Sequence, residues 1–158
     1  MFKIIAAIGK NRELGLKNAL VFHIKEDMRF FRESTTGHAV LMGAKTFQSL
    51  PGALKNRTNY VLTHNPDNLP ENVVPVTNLK KFIHDNLDTE EEVFVIGGAK
   101  VYDEMLPYCQ TLYLTEVEAE HEADVFFPNF DKTMYNKTII KRGNENGLNY
   151  TFNKYEKI

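Results

Sequence analysis

No tryptophan occurs anywhere in the chain, and cysteine occurs once, at Cys109, so an internal disulfide is excluded. Dependence on no disulfide suits a reducing compartment, and the expected location is the cytoplasm. Cys109 sits among Pro107, Tyr108 and Leu112 and reads as a buried thiol. No apolar run is long enough to cross a membrane, and the one at Phe2 to Ile8 is too short for a secretory leader. Charge of neither sign dominates: 19 Lys and Arg stand against 21 Asp and Glu, a net of -2. With no basic block interleaved with aromatics, no nucleic-acid surface is expected. The five histidines, His23, His38, His64, His84 and His121, show no H-x-x-x-H spacing, so no metal site is expected.

What is present is an ordinary globular composition, 42% hydrophobic and 25% charged over 158 residues. That length supports one domain, over residues 1–158, with a core of its own. Strands and helices alternate. Short apolar runs at Phe2 to Ile8, Ala39 to Met42, Asn59 to Thr63, Val73 to Val76 and Glu92 to Ile96 read as strands. The Val73 strand contains Pro75 and belongs near an edge. Ala44 to Leu50, Leu79 to His84 and Ala99 to Leu106 read as helices. Gly9 to Phe22 shows no sustained period and reads as one long loop, a length that in compact domains is functional or disordered. Beyond Pro107 the pattern changes to a strand over Leu112 to Glu120. A hairpin follows, from Thr138 to Lys141 and from Asn149 to Tyr155. The expected fold is α/β: a central, mostly parallel twisted sheet with flanking helices, finished by a C-terminal antiparallel hairpin.

One acid stands out. From Ile24 to Glu33 the chain has helical periodicity, with Ile24, Met28 and Phe31 forming an apolar stripe at about 100° per residue. Asp27 falls roughly 40° from Phe31 and roughly 60° from Phe30 on that period. A buried acid there needs a partner. Taken alone, Asp27 is equally well an exposed first-turn acid favoured by the helix dipole.

Two strand–glycine–helix junctions add a second clue: Val40-Leu41-Met42-Gly43-Ala44-Lys45-Thr46 and Val95-Ile96-Gly97-Gly98-Ala99-Lys100-Val101-Tyr102. Free N–H groups at a helix start attract phosphate, and glycine lets an anion approach. Each junction is also plain turn chemistry, and neither is the six-residue dinucleotide fingerprint. Together they are compatible with a grip on two phosphates.

Along nearly its whole length the chain resembles the dihydrofolate reductases. The resemblance is carried by Ile5-Ala6-Ala7, Leu14-Gly15, Asp27 with Phe31, and Met42-Gly43-x-Lys45-Thr46-Phe47-x-Ser49. It continues through Leu54 with Asn56-Arg57, Val61-Leu62-Thr63, Ile96-Gly97-Gly98 with Val101-Tyr102, Tyr113-Leu114-Thr115, and Ala123-Asp124 before Phe127-Pro128. It implies NADPH-dependent reduction of dihydrofolate to tetrahydrofolate, with antifolate inhibitors as further ligands and a monomeric state.

By the same resemblance Asp27 faces the pterin and serves proton delivery, and Thr115 hydrogen-bonds it. Leu20 and Phe22 complete the catalytic surroundings. Ile5, Met28, Phe31, Leu50 and Leu54 line the substrate pocket, and Arg57 clamps the substrate's glutamate carboxylate. Ala7 and Leu14 present backbone groups to the nicotinamide carboxamide, with Tyr102 near its ring, and Gly15 and Asn18 belong to the cofactor site. Gly43, Lys45, Thr46, Ser49, Leu62, Thr63 and His64 belong to the cofactor site, as do Ile96, Gly97, Gly98, Ala99, Lys100 and Val101. A cis peptide is implied at Gly97-Gly98.

Three positions depart from the family pattern. Ala44 stands where an arginine usually contacts the cofactor phosphates, which narrows the expected preference for NADPH over NADH. Phe22 replaces a tryptophan and has no N–H to hold a water near the acid, so weaker proton delivery is expected. Ala123 replaces a common glycine. Two other readings stay open: a reductase of the same fold acting on an aminopyrimidine of riboflavin synthesis, and a nucleotide-binding module without catalysis. Arg57 favours a substrate with a glutamate tail.

Overall fold

A computed structural model describes residues 1–158. Phe2–Ile8 forms β1, and β4 (Ala39–Gly43), β5 (Thr58–Leu62), β6 (Val74–Val76), β7 (Val93–Val95) and β8 (Cys109–Val117) run parallel to one another with it. Between them come β2 (Glu13–Leu16), β3 (Ala19–Leu20), α1 (Lys25–Thr35), α2 (Ala44–Ser49), α3 (Leu79–Asn86) and α4 (Ala99–Met105). The chain ends in β9 (Val125–Phe126), β10 (Tyr135–Glu145) and β11 (Leu148–Lys157). In the eight-stranded sheet the order is β10-β11-β8-β1-β7-β4-β5-β6, and only the terminal hairpin is antiparallel. This is the architecture expected, with β6 at the edge as Pro75 required. The hairpin turns at Asn146 and Gly147, both with positive φ, as a two-residue turn between twisted strands demands.

Alternate side chains of the central strands feed two cores. Phe2, Ile4, Ala6 and Ile8 of β1 join Leu41, Val95, Leu112 and Leu114 beneath α3 and α4. Ile5, with Val40, Met42, Val61 and Phe94, faces the other way, where Phe30 and Phe31 of α1 and Phe47 of α2 cover it. Cys109 is fully buried, and burial pushes its thiol up to about 12.

From β1 the chain crosses to β4, leaving a slot that β7 fills later. Such reversals of strand order open a crevice at the carboxyl ends of parallel strands. Ala7, Gly43, Thr63, Ile96 and Thr115 all sit at those ends.

Two expectations need correction. Gly9 to Phe22 is not one loop: β2 and β3 pair as a small hairpin and β9 adds on the other side of β2. The connecting Lys17 and Asn18 both have positive φ, as a tight hairpin turn requires. Strands of two and four residues leave no period to read. Met28 is the second. It is 60% exposed, outside the buried face. The inward direction of α1 is set by Asp27, Phe30, Phe31 and Thr35, and Met28 lies about 100° round from Asp27.

Candidate active site

Asp27, in the first turn of α1, points at β8. Thr115, buried and in register with Ala7 of β1, donates its hydroxyl to Asp27 Oδ1 at 2.6 Å. Burial raises the Asp27 carboxyl above its ordinary value, and the Thr115 bond opposes this only in part. No ion pair of the chain includes Asp27. A half-buried carboxyl without a cation is suited to binding a paired N–H donor edge and to keeping its proton to higher pH than an ordinary carboxyl does.

At the other end of α1, Arg57 donates from its terminal guanidinium nitrogen to Thr35 Oγ1 at 3.0 Å and from Nε to the Lys55 carbonyl at 2.9 Å. Thr35 lies eight residues past Asp27, about 12 Å along the helix axis. Acid and guanidinium therefore mark the two ends of an elongated binding face. A hollow of about 500 Å³ opens beside Arg57, lined by Arg32, Lys55, Leu54 and Pro51 among others, with three cationic side chains and no carboxylate. Burial and the neighbouring Arg32 lower the Arg57 pKa from its ordinary value. An anionic ligand end relieves that repulsion.

Between the two ends, Ile5 is buried while Phe31, Leu50 and Leu54 are half-buried against the core. Phe22 is buried with Ile24, Val117, Tyr150 and Phe152, edge-on to His121 at 6.0 Å. Leu20 on β3 is 58% exposed.

The glycine junctions meet each other. Gly43 donates its N–H to the Gly97 carbonyl at 3.0 Å, and the Gly97-Gly98 peptide is cis. Gly97 has a φ of +127°, open only to glycine in practice. A Cβ on Gly97 or Gly98 would stand 3.6 or 3.5 Å from Thr46 Oγ1, filling the cradle between the turn and α2. Tyr102, beneath the turn, donates to the Ile5 carbonyl at 2.9 Å, and burial holds its phenol well above its usual range. Val101 is buried, and its side chain would touch a Cβ on Gly43 at 3.2 Å. Ile96 and Ala99 flank the turn, half-buried. Ser49 donates to the Thr46 carbonyl.

Leu14 is buried, and Gly15 lies against Val125 and the Ala19 carbonyl, too close for a side chain. Asn18 is exposed at the turn between β2 and β3. Leu62 ends β5, and Thr63 Oγ1 accepts from the Asn65 N–H. Lys45, His64 and Lys100 are exposed and enter no ion pair, so nothing ties these three to one point.

Three residues of the site escape sequence reasoning. Thr35, anchored to the Phe31 carbonyl, holds Arg57. Asn59, buried in β5, bonds the Leu54 N–H and carbonyl and the Arg57 carbonyl, and so fixes the loop that carries Arg57. Its only signal was a polar residue in an apolar strand. Glu13, 1% exposed, accepts from the Asn11 N–H at 2.6 Å and the His121 N–H at 2.8 Å. In sequence it looks like a loop charge.

A family model described as dihydrofolate reductase matches residues 1–157. The chain belongs to the dihydrofolate reductase family. It is 38% identical to the dihydrofolate reductase of Bacillus subtilis (strain 168), over 99% of this chain and 95% of that protein. The dihydrofolate reductase of Neisseria gonorrhoeae is 36% identical, over 96% of this chain and 95% of that protein. Dihydrofolate reductase HdrB of Haloferax volcanii is 34% identical over 99% and 83%. A solved dihydrofolate reductase from Enterococcus faecalis, in complex with NADP(H) and RAB-propyl, superposes with a TM-score of 0.90 at 28% identity, covering 99% of this chain and 96% of that one. Neither an aminopyrimidine reductase nor a non-catalytic module is favoured beside a dihydrofolate reductase match of this extent.

Proposed function

We propose that the chain reduces 7,8-dihydrofolate to 5,6,7,8-tetrahydrofolate with NADPH, serving one-carbon and thymidylate metabolism, at the crevice between Asp27 and the Gly97-Gly98 turn. The single observation that most supports this reading is the isolated, half-buried Asp27 carboxyl bonded by Thr115.

Asp27 accepts the paired N–H donors of the pterin's amidine-like edge and fixes the ring's orientation. Its raised affinity for a proton keeps that proton available for the ring nitrogen beside the carbon being reduced. Ile5, Phe31, Leu50 and Leu54 enclose the pterin and benzoyl groups, with Met28 and Leu20 at the rim. Arg57 holds the glutamate carboxylate, and Arg32 and Lys55 reinforce the positive potential around it. Phe22 keeps the acid's surroundings apolar but donates no hydrogen bond.

The cradle of Thr46 with Gly97 and Gly98 fits a pyrophosphate, being open backbone that any side chain would fill. Gly43, Lys45, Ser49, Leu62, Thr63, His64, Ile96, Ala99, Lys100 and Val101 extend it along the cofactor. Ala7, Leu14, Gly15, Asn18 and Tyr102 surround the nicotinamide end. When bound, NADPH supplies the hydride. Residues 1–158 act as a single cytoplasmic domain, monomeric and without a nucleic-acid partner, and the substrate pocket also takes antifolate inhibitors. No helix is long and apolar enough to cross a membrane.

Mixing the protein with NADPH and dihydrofolate and following reduced-nicotinamide absorbance tests the reading. Turnover is expected, and Asp27→Asn is expected to lose most of it at neutral pH. Full activity in that variant would remove Asp27 from the proposed role.

A further inference from the structure

The first turn of α1 is held from outside the helix. Its N-cap residue, Ile24, has extended backbone and offers no side-chain acceptor. Instead the Lys25 N–H donates to Glu145 at the end of β10, 2.9 Å from Oε2 and 3.2 Å from Oε1. Next along, the Glu26 carboxylate accepts from Lys141 of β10 at 2.5 Å and from the Tyr150 hydroxyl of β11 at 2.7 Å. One turn later the Phe30 ring packs on Phe152 of β11 at 4.8 Å.

These contacts need close approach. A Cβ on Gly143 of β10 would fall 2.4 and 2.5 Å from the Tyr150 ring and 2.7 Å from Glu26 Oε1. Positions 25, 26 and 30 bracket Asp27. Its own partner, Thr115, is on β8 and pairs in register with Phe152. One continuous set of strands, β8, β11 and β10, therefore grips the helix start on both sides of the acid.

We propose that Glu145, Lys141 and Tyr150 of the terminal hairpin are positioning residues for Asp27, fixing how deeply its carboxyl is held and hence both its proton affinity and substrate alignment. This rests on the role proposed for Asp27. Without the clamp the helix start frays, as uncapped first turns do, and water reaches the carboxyl. Loss of burial, the larger influence on Asp27, then outweighs the altered Thr115 bond. The titratable groups facing Asp27 are the phenols of Tyr102 from α4 and Tyr150 from β11, with Glu26 beside it in the helix. No cation pairs with it.

The test titrates the Asp27 carboxyl carbon by NMR in the ligand-free protein and separately measures KM for dihydrofolate and for NADPH. Glu145→Ala removes the acceptor. Glu145→Gln keeps a carbonyl for the same N–H and should behave like the parent. Lys25→Pro removes the donor at a position where proline suits a helix, after a residue already in the extended region that proline requires. It remains decisive if Glu145→Ala folds poorly. Glu145→Ala and Lys25→Pro are expected to lower the Asp27 pKa by roughly half a unit or more. KM for dihydrofolate should rise at least about threefold, with KM for NADPH nearly unchanged. Parent-like Asp27 titration in both variants overturns the proposal, even if their melting points fall, and so do equal rises in both KM values. If the parent protein reduces no dihydrofolate, the functional reading fails while the carboxyl titration still decides the clamp.

Discussion

Asp27 holds opposed influences that make its stability cost measurable. Burial raises its folded pKa above the ordinary carboxylate value, and the Thr115 bond lowers it by less. Between the unfolded and folded pKa values the folded protein keeps a proton that the unfolded chain has lost. Its contribution is therefore favourable below the ordinary carboxylate pKa and is lost as pH rises through the raised one. Asparagine cannot titrate and leaves no buried charge. Asp27→Asn should be more stable than the parent near neutral pH, and the advantage should vanish toward acid. Denaturant unfolding across the carboxylate range checks this. An identical pH dependence in parent and variant would show that burial exerts no strain on the acid. Taken with lost turnover, the gain would mark a residue kept for function at the expense of stability.

At the scale of elements, Glu13 ties two loops that otherwise meet only along short strands. Its two oxygens accept N–H groups from Asn11 and His121, and Gly9 leaves it room, since a Cβ there would fall 2.6 Å from Oε1 and 2.9 Å from the Ala119 carbonyl. The Lys17 N–H bonds Asp124, and Asp124 in turn bonds the Gly15 carbonyl, extending the same seam. Glutamine at position 13 satisfies one of the two N–H groups and turns its own NH₂ toward the other. Glu13→Gln is predicted to destabilise the protein by about 1–3 kcal/mol, read by equilibrium unfolding, and a cost below about half a kcal/mol would refute the latch. None of this was legible in the sequence, because the partners are backbone N–H groups more than a hundred residues apart or in a turn. What was legible followed from periodicity and glycine: the parallel strands, the terminal hairpin, and the Asp27 helix. The Met28 error shows the limit. An apolar stripe marks a helix, but which side turns inward depended on Thr115 and Phe152, from strands far along the chain. Likewise Arg57 was singled out only through the family resemblance carried by Leu54 with Asn56-Arg57, and Thr35 and Asn59, which hold it, were not singled out at all.

Across the whole molecule, the sheet presents two regions: the face under α1, which runs from Asp27 to Arg57 at the amino end of β5, and the carboxyl ends of β4 and β7. Asp27, Thr115 and Arg57 belong to the side covered by α1, and the Gly97-Gly98 turn, Thr46 and Tyr102 stand at the ends of β4 and β7. Ala44 contributes no charge there, and Lys45, His64 and Lys100 are exposed cations without fixed partners. Contacts from mobile, solvated cations are worth little individually, so the extra phosphate of NADPH should add modest affinity. Ligand linkage reads this without turnover, since a ligand that binds only the folded protein stabilises it in proportion to its saturation. NADPH at about 100 times its Kd should add about 2.7 kcal/mol, a rise of roughly 5–10 °C in Tm for a chain of this size. NADH should give the same rise at a higher concentration, less than about a thousandfold above that of NADPH, a gap of roughly 4 kcal/mol. If NADH leaves Tm unmoved beyond that concentration, the remaining cations replace the missing arginine fully. A common plateau reached at modestly different concentrations would show instead that the Thr46 and Gly97-Gly98 cradle supplies most of the grip.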